Sequence, residues 1–232
     1  MIIKGLQKTT LLDFPTKVAC TVFTPGCNFR CPFCHNASLV VDTDLTDTVN
    51  IESFFEYLKK RRGILDGVCI TGGEPLIQKD IDRFISKIKD LGYAVKVDTN
   101  GSQSKTLSEL IKNGLVDYVA MDIKGSQAKY SEICGLDNGK YLDAVCESIS
   151  LLLQSRVDYE FRTTVVKELH AKDDFHDIGK WIIDTKKYFL QQFKDSGDLI
   201  GDSTYTAYNK EEMEEILNIV KNYIPNAELR GI

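Results

Sequence analysis

The sequence has no excess of basic residues: 29 Lys and Arg stand against 34 Asp and Glu, a formal charge of −5. That balance excludes the strongly basic surface of a nucleic-acid binder. No uninterrupted apolar run approaches the ~18–20 residues that cross a bilayer, so no membrane partner is expected. The opening MIIKGLQKTTLLDF lacks a cationic lead followed by an apolar stretch, so no secretion leader is expected. No internal repeat, low-complexity tract or Pro/Gly/Ser linker divides the 232 residues, and one domain over residues 1–232 is the expectation. With 43% hydrophobic residues and a small net charge, disorder is excluded as the dominant state. What is plentiful is cysteine, seven in a chain whose other features suit the cytoplasm. Stable disulfides are scarce in that compartment, so some of these thiols are expected to serve a metal or a redox step.

Short β-branched segments alternate with amphipathic ones. Strands are expected at 17–23, 67–71, 93–98, 117–122, 159–165 and 187–193. Helices are expected at about 51–62, 80–91, 104–113, 139–155, 174–184 and 210–223, with Asp80, Ser104 and Asn209 as N-caps. In IDRFISKIKDL, the residues Ile81, Phe84, Ile85, Ile88 and Leu91 fall at helical spacing with charges opposite. Six strand–helix alternations predict an α/β fold of parallel strands joined by right-handed crossovers. Six units are too few for a closed eight-fold barrel, so an open, partial barrel or a doubly wound sheet is expected. Ligands in such folds sit at the carboxyl ends of strands, where functional motifs should fall.

Directly after the first expected strand comes TPGCNFRCPFCHN, with Cys27, Cys31 and Cys34 spaced C-x₃-C-x₂-C. Three thiolates so close in sequence can wrap one soft-metal site, since iron and zinc both favour sulfur. His35 adjoins Cys34 and cannot easily join it on one tetrahedral zinc. A [4Fe–4S] cluster held by three cysteines leaves one iron open to a small molecule. The rival is a closed zinc knuckle with a distant fourth ligand. Cys20, Cys69, Cys134 and Cys146 form no second pair at ligand spacing and read as small packing residues.

Gly72-Gly73-Glu74-Pro75 follows the second expected strand, and its glycines let backbone approach a ligand closely. Asp98-Thr99-Asn100-Gly101 follows the third and Met121-Asp122-Ile123-Lys124 the fourth. Two acidic side chains at neighbouring strand ends repel unless a cation or hydrogen bonds offset them, and Lys124 is one candidate. Arg162 stands in the otherwise apolar FRTTVV, where a guanidinium reaches a partner at a strand end or faces outward. His170 and His176, in KELHAKDDFH, read as solvated or capping residues, or the stretch as part of a surface facing a protein substrate.

The cysteine spacing, with Phe33 before the third cysteine, resembles the radical S-adenosylmethionine (SAM) enzymes. The longer stretch LLDFPTKVACTVFTPGCNFRCPFCHN is similar to activating enzymes of glycyl-radical enzymes, in particular those of anaerobic ribonucleotide reductase and pyruvate formate-lyase. The resemblance runs from about Gly5 to Gly231 and implies a partial (β/α)₆ TIM-like barrel. It implies a [4Fe–4S] cluster on Cys27, Cys31 and Cys34 that cleaves SAM reductively, and a 5′-deoxyadenosyl radical that takes hydrogen from a partner's glycine. Gly72, Gly73 and Glu74 then hold the SAM amino group, Asp122, Lys124 and Arg162 contact SAM, His35 lies by the adenine, and Phe33 is a further cofactor-binding residue. A monovalent cation, Na⁺ or K⁺, is implied on Asp98 and Thr99 with Asp122. The implied partners are a glycyl-radical enzyme and a flavodoxin or ferredoxin as electron donor. Lys194 stands near a position where the pyruvate formate-lyase activator type carries histidine, which argues against SAM contact there. The C-terminal NAELRG resembles the family's usual ending and is expected beside the first strand. Other readings are a radical SAM enzyme with a small substrate, such as a nucleobase precursor, or a non-catalytic iron–sulfur carrier.

Overall fold

The computed structural model describes residues 1–41, 46–136, 139–195, 197, 199–201 and 204–232. The chain forms two compact units, one of residues 1–28, 38–99 and 103–120, the other of 29–37, 100–102 and 121–232.

The first unit contains β1 (Gly5–Thr10), β2 (Ala19–Thr24), α1 (Ala37–Val40), α2 (Ile51–Lys60), β3 (Gly67–Gly72), α3 (Ile81–Asp90), β4 (Ala94–Thr99) and α4 (Ser104–Lys112). It ends in β5 (Tyr118–Asp122), whose last two residues, like Ala37 at the start of α1, belong to the second unit. β2, β3 and β4 run parallel in that order, with Cys69 level with Thr21 on one side and Lys96 on the other. Side chains alternate between faces along each strand. Val68, Ile70, Val95 and Val97 are fully buried on one face, and α3 packs on β4 through Phe84, Ile85 and Ile88. The opposite face begins with a small apolar plug of Phe14, Ala19 and Tyr118. Phe14 leaves no room for a side chain at Gly67, whose Cβ would lie 2.9 Å from the ring. Farther along that face come the polar side chains of Thr21, Cys69, Lys96 and Asp98.

β1 carries no apolar alternation and is not legible as a strand from its sequence; it pairs antiparallel with β2. Of the three expected caps, only Asn209 caps with its side chain. Asp80 makes no side-chain cap bond, and Ser104 is itself the first residue of α4, after Gln103.

The second unit contains α5 (Tyr130–Ile133), α6 (Leu142–Gln154), β6 (Asp158–Val165), α7 (Asp174–Trp181), β7 (Tyr188–Gln192), α8 (Lys210–Lys221) and β8 (Glu228–Arg230). β6, β7 and β8 are parallel in that order. The C-terminal NAELRG supplies β8, which pairs with β7. Arg230 fixes it there by forking onto the buried Glu160 carboxylate at 2.8 and 3.0 Å, its guanidinium 3.2 Å over the Phe189 ring. A forked, charge-assisted pair beneath an aromatic plane needs residues from three strands, which a single-strand reading does not reveal. α8 starts with a capping box, Asn209 and Glu212 each bonding the other's backbone N–H at 2.8 Å. All six strands expected from the sequence are present within a residue or two as β2 to β7. Among the described residues, no helix is long and apolar enough to cross a membrane.

Candidate functional site

Each motif singled out in the sequence lies at the carboxyl end of a strand. In the first unit, Gly72 and Gly73 leave β3 against the turn that opens the cysteine loop. Gly73 N–H donates to Thr24 O at 2.9 Å, and Glu74 N–H to Gly26 O at 2.8 Å. A Cβ on Gly73 would stand 1.9 Å from the Gly26 carbonyl oxygen, and one on Gly72 2.3 Å from Thr24 O. Both glycines are therefore required by the chain that leads into Cys27. The Glu74 carboxylate is fully buried. It accepts from Leu76 N–H at 3.1 Å, capping a short 3₁₀ turn, and from the Thr99 hydroxyl at 2.8 Å. On the other face of β4, Asp98 forms a buried ion pair with Lys96. The Cys69 thiol lies 3.8 Å from the Lys96 ammonium and 3.9 Å from the Asp98 carboxylate. Cys69 is thus set among charges rather than in the apolar packing expected of it.

In the second unit, Cys31 is buried and Cys34 half-buried, and Cys34 N–H donates to Cys31 O at 3.0 Å. The Cys134 thiol hydrogen-bonds Cys31, which lowers the Cys31 pKa; burial raises that of Cys34, against the opposing charge of Lys124. The Cys134 carbonyl also accepts from Arg30 N–H at 2.9 Å, so the turn after α5 is latched to the cysteine loop. Cys134 was expected to be a packing residue; its thiol instead abuts a candidate ligand. Of the remaining cysteines, Cys20 is a buried core thiol whose pKa burial pushes up to about 12. Cys146 is half-buried and accepts from the Gln127 amide at 3.6 Å.

Asp122, at the end of β5, accepts from Arg162 Nε at 2.9 Å and from Lys124 Nζ at 3.0 Å. Burial opposes the charge on Asp122, but Arg162 and then Lys124 outweigh it and hold the carboxyl well below its usual range. Lys124 is likewise raised, because Asp122 and the cysteine thiols outweigh its burial. The trio carries two positive charges to one negative, with Lys124 acting electrostatically on Cys31, Cys34 and His35. Desolvation and then Lys124 keep the His35 imidazole below its ordinary value. Phe33 is buried, edge-on to the His170 ring at 6.3 Å. The loop carbonyl of Pro32 accepts from Gly201 N–H at 2.9 Å.

His170 corrects its expected role as a solvated or capping residue: it is fully buried. Its Nδ1 accepts from Val166 N–H at 3.1 Å, leaving Nε2 to donate to the Lys124 carbonyl at 2.8 Å. The ring therefore braces both Phe33 and the backbone of Lys124. The polar letters around it give no sign of this, because its partners lie on other elements. His176 is half-buried, its Nδ1 3.0 Å from the Tyr223 hydroxyl. Lys194 is exposed.

Replacing His170 with Leu should cost about 2 kcal/mol by stranding the Val166 N–H and Lys124 C=O. That lowers the thermal midpoint by roughly 4–8 °C at this chain length. Burial depresses the His170 pKa, so the unfolded state binds its proton more readily. The stability this residue gives is complete above its unfolded value of about 6.5 and is lost as pH falls below that. Unfolding curves from pH 5 to 8 should show this slope in the parent protein and a shallower one in His170→Leu.

The cysteine loop crosses from one unit to the other, with Cys27 in the first and Cys31 and Cys34 in the second. Among the described residues, no group of three or more His, Cys, Asp or Glu side chains is drawn together as metal ligands. The donor set nevertheless fits an iron–sulfur cluster: soft thiols only, with the Lys124 ammonium beside two of them to offset an anionic centre.

In each unit, then, parallel strands carry a part of the cysteine loop and a carboxylate paired with a protein cation toward their carboxyl ends. The radical SAM superfamily model matches residues 21–182, more than half of the chain. The chain belongs to the radical SAM superfamily, and its cofactors are a [4Fe–4S] cluster and SAM. A Methanocaldococcus jannaschii protein provisionally named a glycyl-radical enzyme activating enzyme is 34% identical, covering 100% of this chain and 96% of its own length. A 7-carboxy-7-deazaguanine synthase of Thermoplasma acidophilum is 25% identical over 88% of each chain. Among solved structures, a domain of a pyruvate-formate lyase-activating enzyme from Bacteroides vulgatus aligns with a TM-score of 0.55 at 16% identity. It covers 71% of this chain and 99% of its own, a likeness of fold.

Proposed function

We propose that this radical SAM enzyme activates a glycyl-radical enzyme by removing a hydrogen atom from a glycine Cα of that partner. The observation that carries this reading is the full-length similarity to the archaeal protein of that name. Bound cluster and SAM together supply the hydrogen-abstracting chemistry, through reductive cleavage of SAM. The chain's own work is to hold, orient and shield.

In this reading Cys27, Cys31 and Cys34 hold the cluster. In the first unit, Gly72, Gly73 and Glu74 serve the SAM amino group, supported by a backbone that only glycine permits. In the second unit, Asp122 orients Arg162 and Lys124, whose excess positive charge suits the SAM carboxylate. His35 serves the adenine side, and Phe33, packed edge-on against His170, is a further cofactor-binding residue. The two units belong to one domain in this proposal, supported by a chain that passes between them five times. A cytoplasmic setting, a flavodoxin or ferredoxin donor, and a partner of the ribonucleotide reductase or pyruvate formate-lyase type complete it.

The relative named for a deazaguanine product favours a second reading, a small substrate such as a nucleobase precursor. One experiment separates them. The anaerobically reconstituted protein is mixed with SAM, reductant and purified glycyl-radical enzymes of both types, then measured by electron paramagnetic resonance and for 5′-deoxyadenosine. A glycine-centred signal in one partner is the expected result. Abundant 5′-deoxyadenosine with no signal in either partner favours the small-substrate reading, and none at all returns the iron–sulfur carrier.

A further inference from the structure

The family resemblance implies a monovalent cation held on Asp98 and Thr99, yet the first unit commits both residues elsewhere. Asp98 and Thr99 are consecutive on β4, so their side chains leave opposite faces of the strand. The Thr99 hydroxyl donates to Glu74 on one face. On the other, the Asp98 carboxylate is in direct contact with the Lys96 ammonium, with side chains only 17% and 3% exposed. Lys96 sits level with Cys69 and points along the same face as Asp98, two residues on, so strand geometry alone brings the pair together. A metal ion placed on Asp98 would face an ammonium at close range in a poorly screened setting, where like charges repel strongly. The residues present do not fit the cation.

We propose that Lys96 is a built-in cation: its tethered ammonium supplies the positive charge at the end of β4, and the enzyme needs no monovalent metal ion there. The second unit repeats the device, because Asp122 carries Lys124 two residues along the chain and Arg162 besides. Each acidic strand end is neutralised by a protein cation from within its own unit. Lys96 is a positioning residue in this scheme: it fixes Asp98, two residues from Asn100 and the turn that follows β4. The inference rests on the reading of this strand end as part of a SAM site.

The test uses the reconstituted full chain in potassium, sodium and tetramethylammonium chloride at equal ionic strength, reading the thermal unfolding midpoint and SAM affinity by equilibrium dialysis. Tetramethylammonium is too large and too poor a ligand acceptor to replace a bound metal ion. The parent protein should unfold at the same temperature in all three salts and bind SAM within about twofold. Lys96→Met leaves Asp98 without its ammonium and should become salt-specific. Potassium or sodium should then raise its midpoint and tighten its SAM binding about tenfold over tetramethylammonium. A parent protein that itself needs potassium or sodium, by either readout, overturns the proposal, and so does a Lys96→Met variant indifferent to the salt. Should Lys96→Met fail to fold in every salt, the parent comparison decides alone. The unfolding readout requires neither a substrate nor a glycyl radical, so its outcome does not depend on whether the proposed activity is found.

Discussion

Cys31→Ala is expected to bind no cluster iron and to form no 5′-deoxyadenosine, while Cys134→Ala retains both. The two thiols touch each other, and both are buried, so exposure and packing do not distinguish them. What distinguishes them is chain geometry. Cys31 is the middle one of the three proposed donors, in a loop where each cysteine lies three or four residues from the next. In the proposed site its loss would leave only Cys27 and Cys34 to hold the cluster, one thiolate short of the set. Cys134 ends a short helix and is tied to the loop through its carbonyl. Deleting its sulfur leaves that backbone bond intact and opens a small cavity, at a cost of about 1–2 kcal/mol. Iron and sulfide analysis of both variants after identical anaerobic reconstitution checks the contrast. Equal loss of iron in Cys134→Ala would make Cys134 a fourth ligand and return the carrier reading.

Gly73→Ala should destabilise the protein by about 3 kcal/mol or more, a fall of roughly 6–12 °C in the thermal midpoint. It should also reduce the iron taken up. The added methyl meets a backbone carbonyl at 1.9 Å, and backbone on both sides is pinned: Gly73 N–H to Thr24, Glu74 N–H to Gly26. No rotamer relieves such a contact, so the Gly26 turn must move, and Cys27 is the next residue. Gly92→Ala provides the control. Gly92 has φ of +90° with nothing within 4 Å of its missing Cβ, so that variant suffers backbone strain alone, about 1–2 kcal/mol. If Gly73→Ala is no worse than Gly92→Ala and loads iron normally, the close approach is not what the glycine is for.

The strands that build the two units are readable because β2 to β7 are runs of β-branched and aromatic residues bounded by turn signals. β1 and β8 are not readable as strands. GLQKTT exposes most of its side chains, and Glu228–Arg230 is too short to set a period; both are strands only because a neighbour pairs with them. Lys96 does carry a usable signal. A lysine inside the apolar run YAVKVD is as anomalous as Arg162 inside FRTTVV, and both prove to be paired with an aspartate near a strand end. His170 carries none, since its role lies in bonds to Val166 and Lys124 that the polar sequence around it does not suggest.

By itself, then, the sequence determined what is local: the three-thiol spacing, the glycine pair after β3, the acidic strand ends, and the strand–helix alternation. These are properties of chain separation and period, which a linear text carries in full. Only the tertiary structure decided the company each residue keeps. It set Cys134 against Cys31, His170 beneath Lys124 and Phe33, Arg162 on Asp122, and Arg230 on Glu160 across β7. Those contacts join segments far apart in the chain, and the burial that makes them strong exists only after the strands are laid side by side.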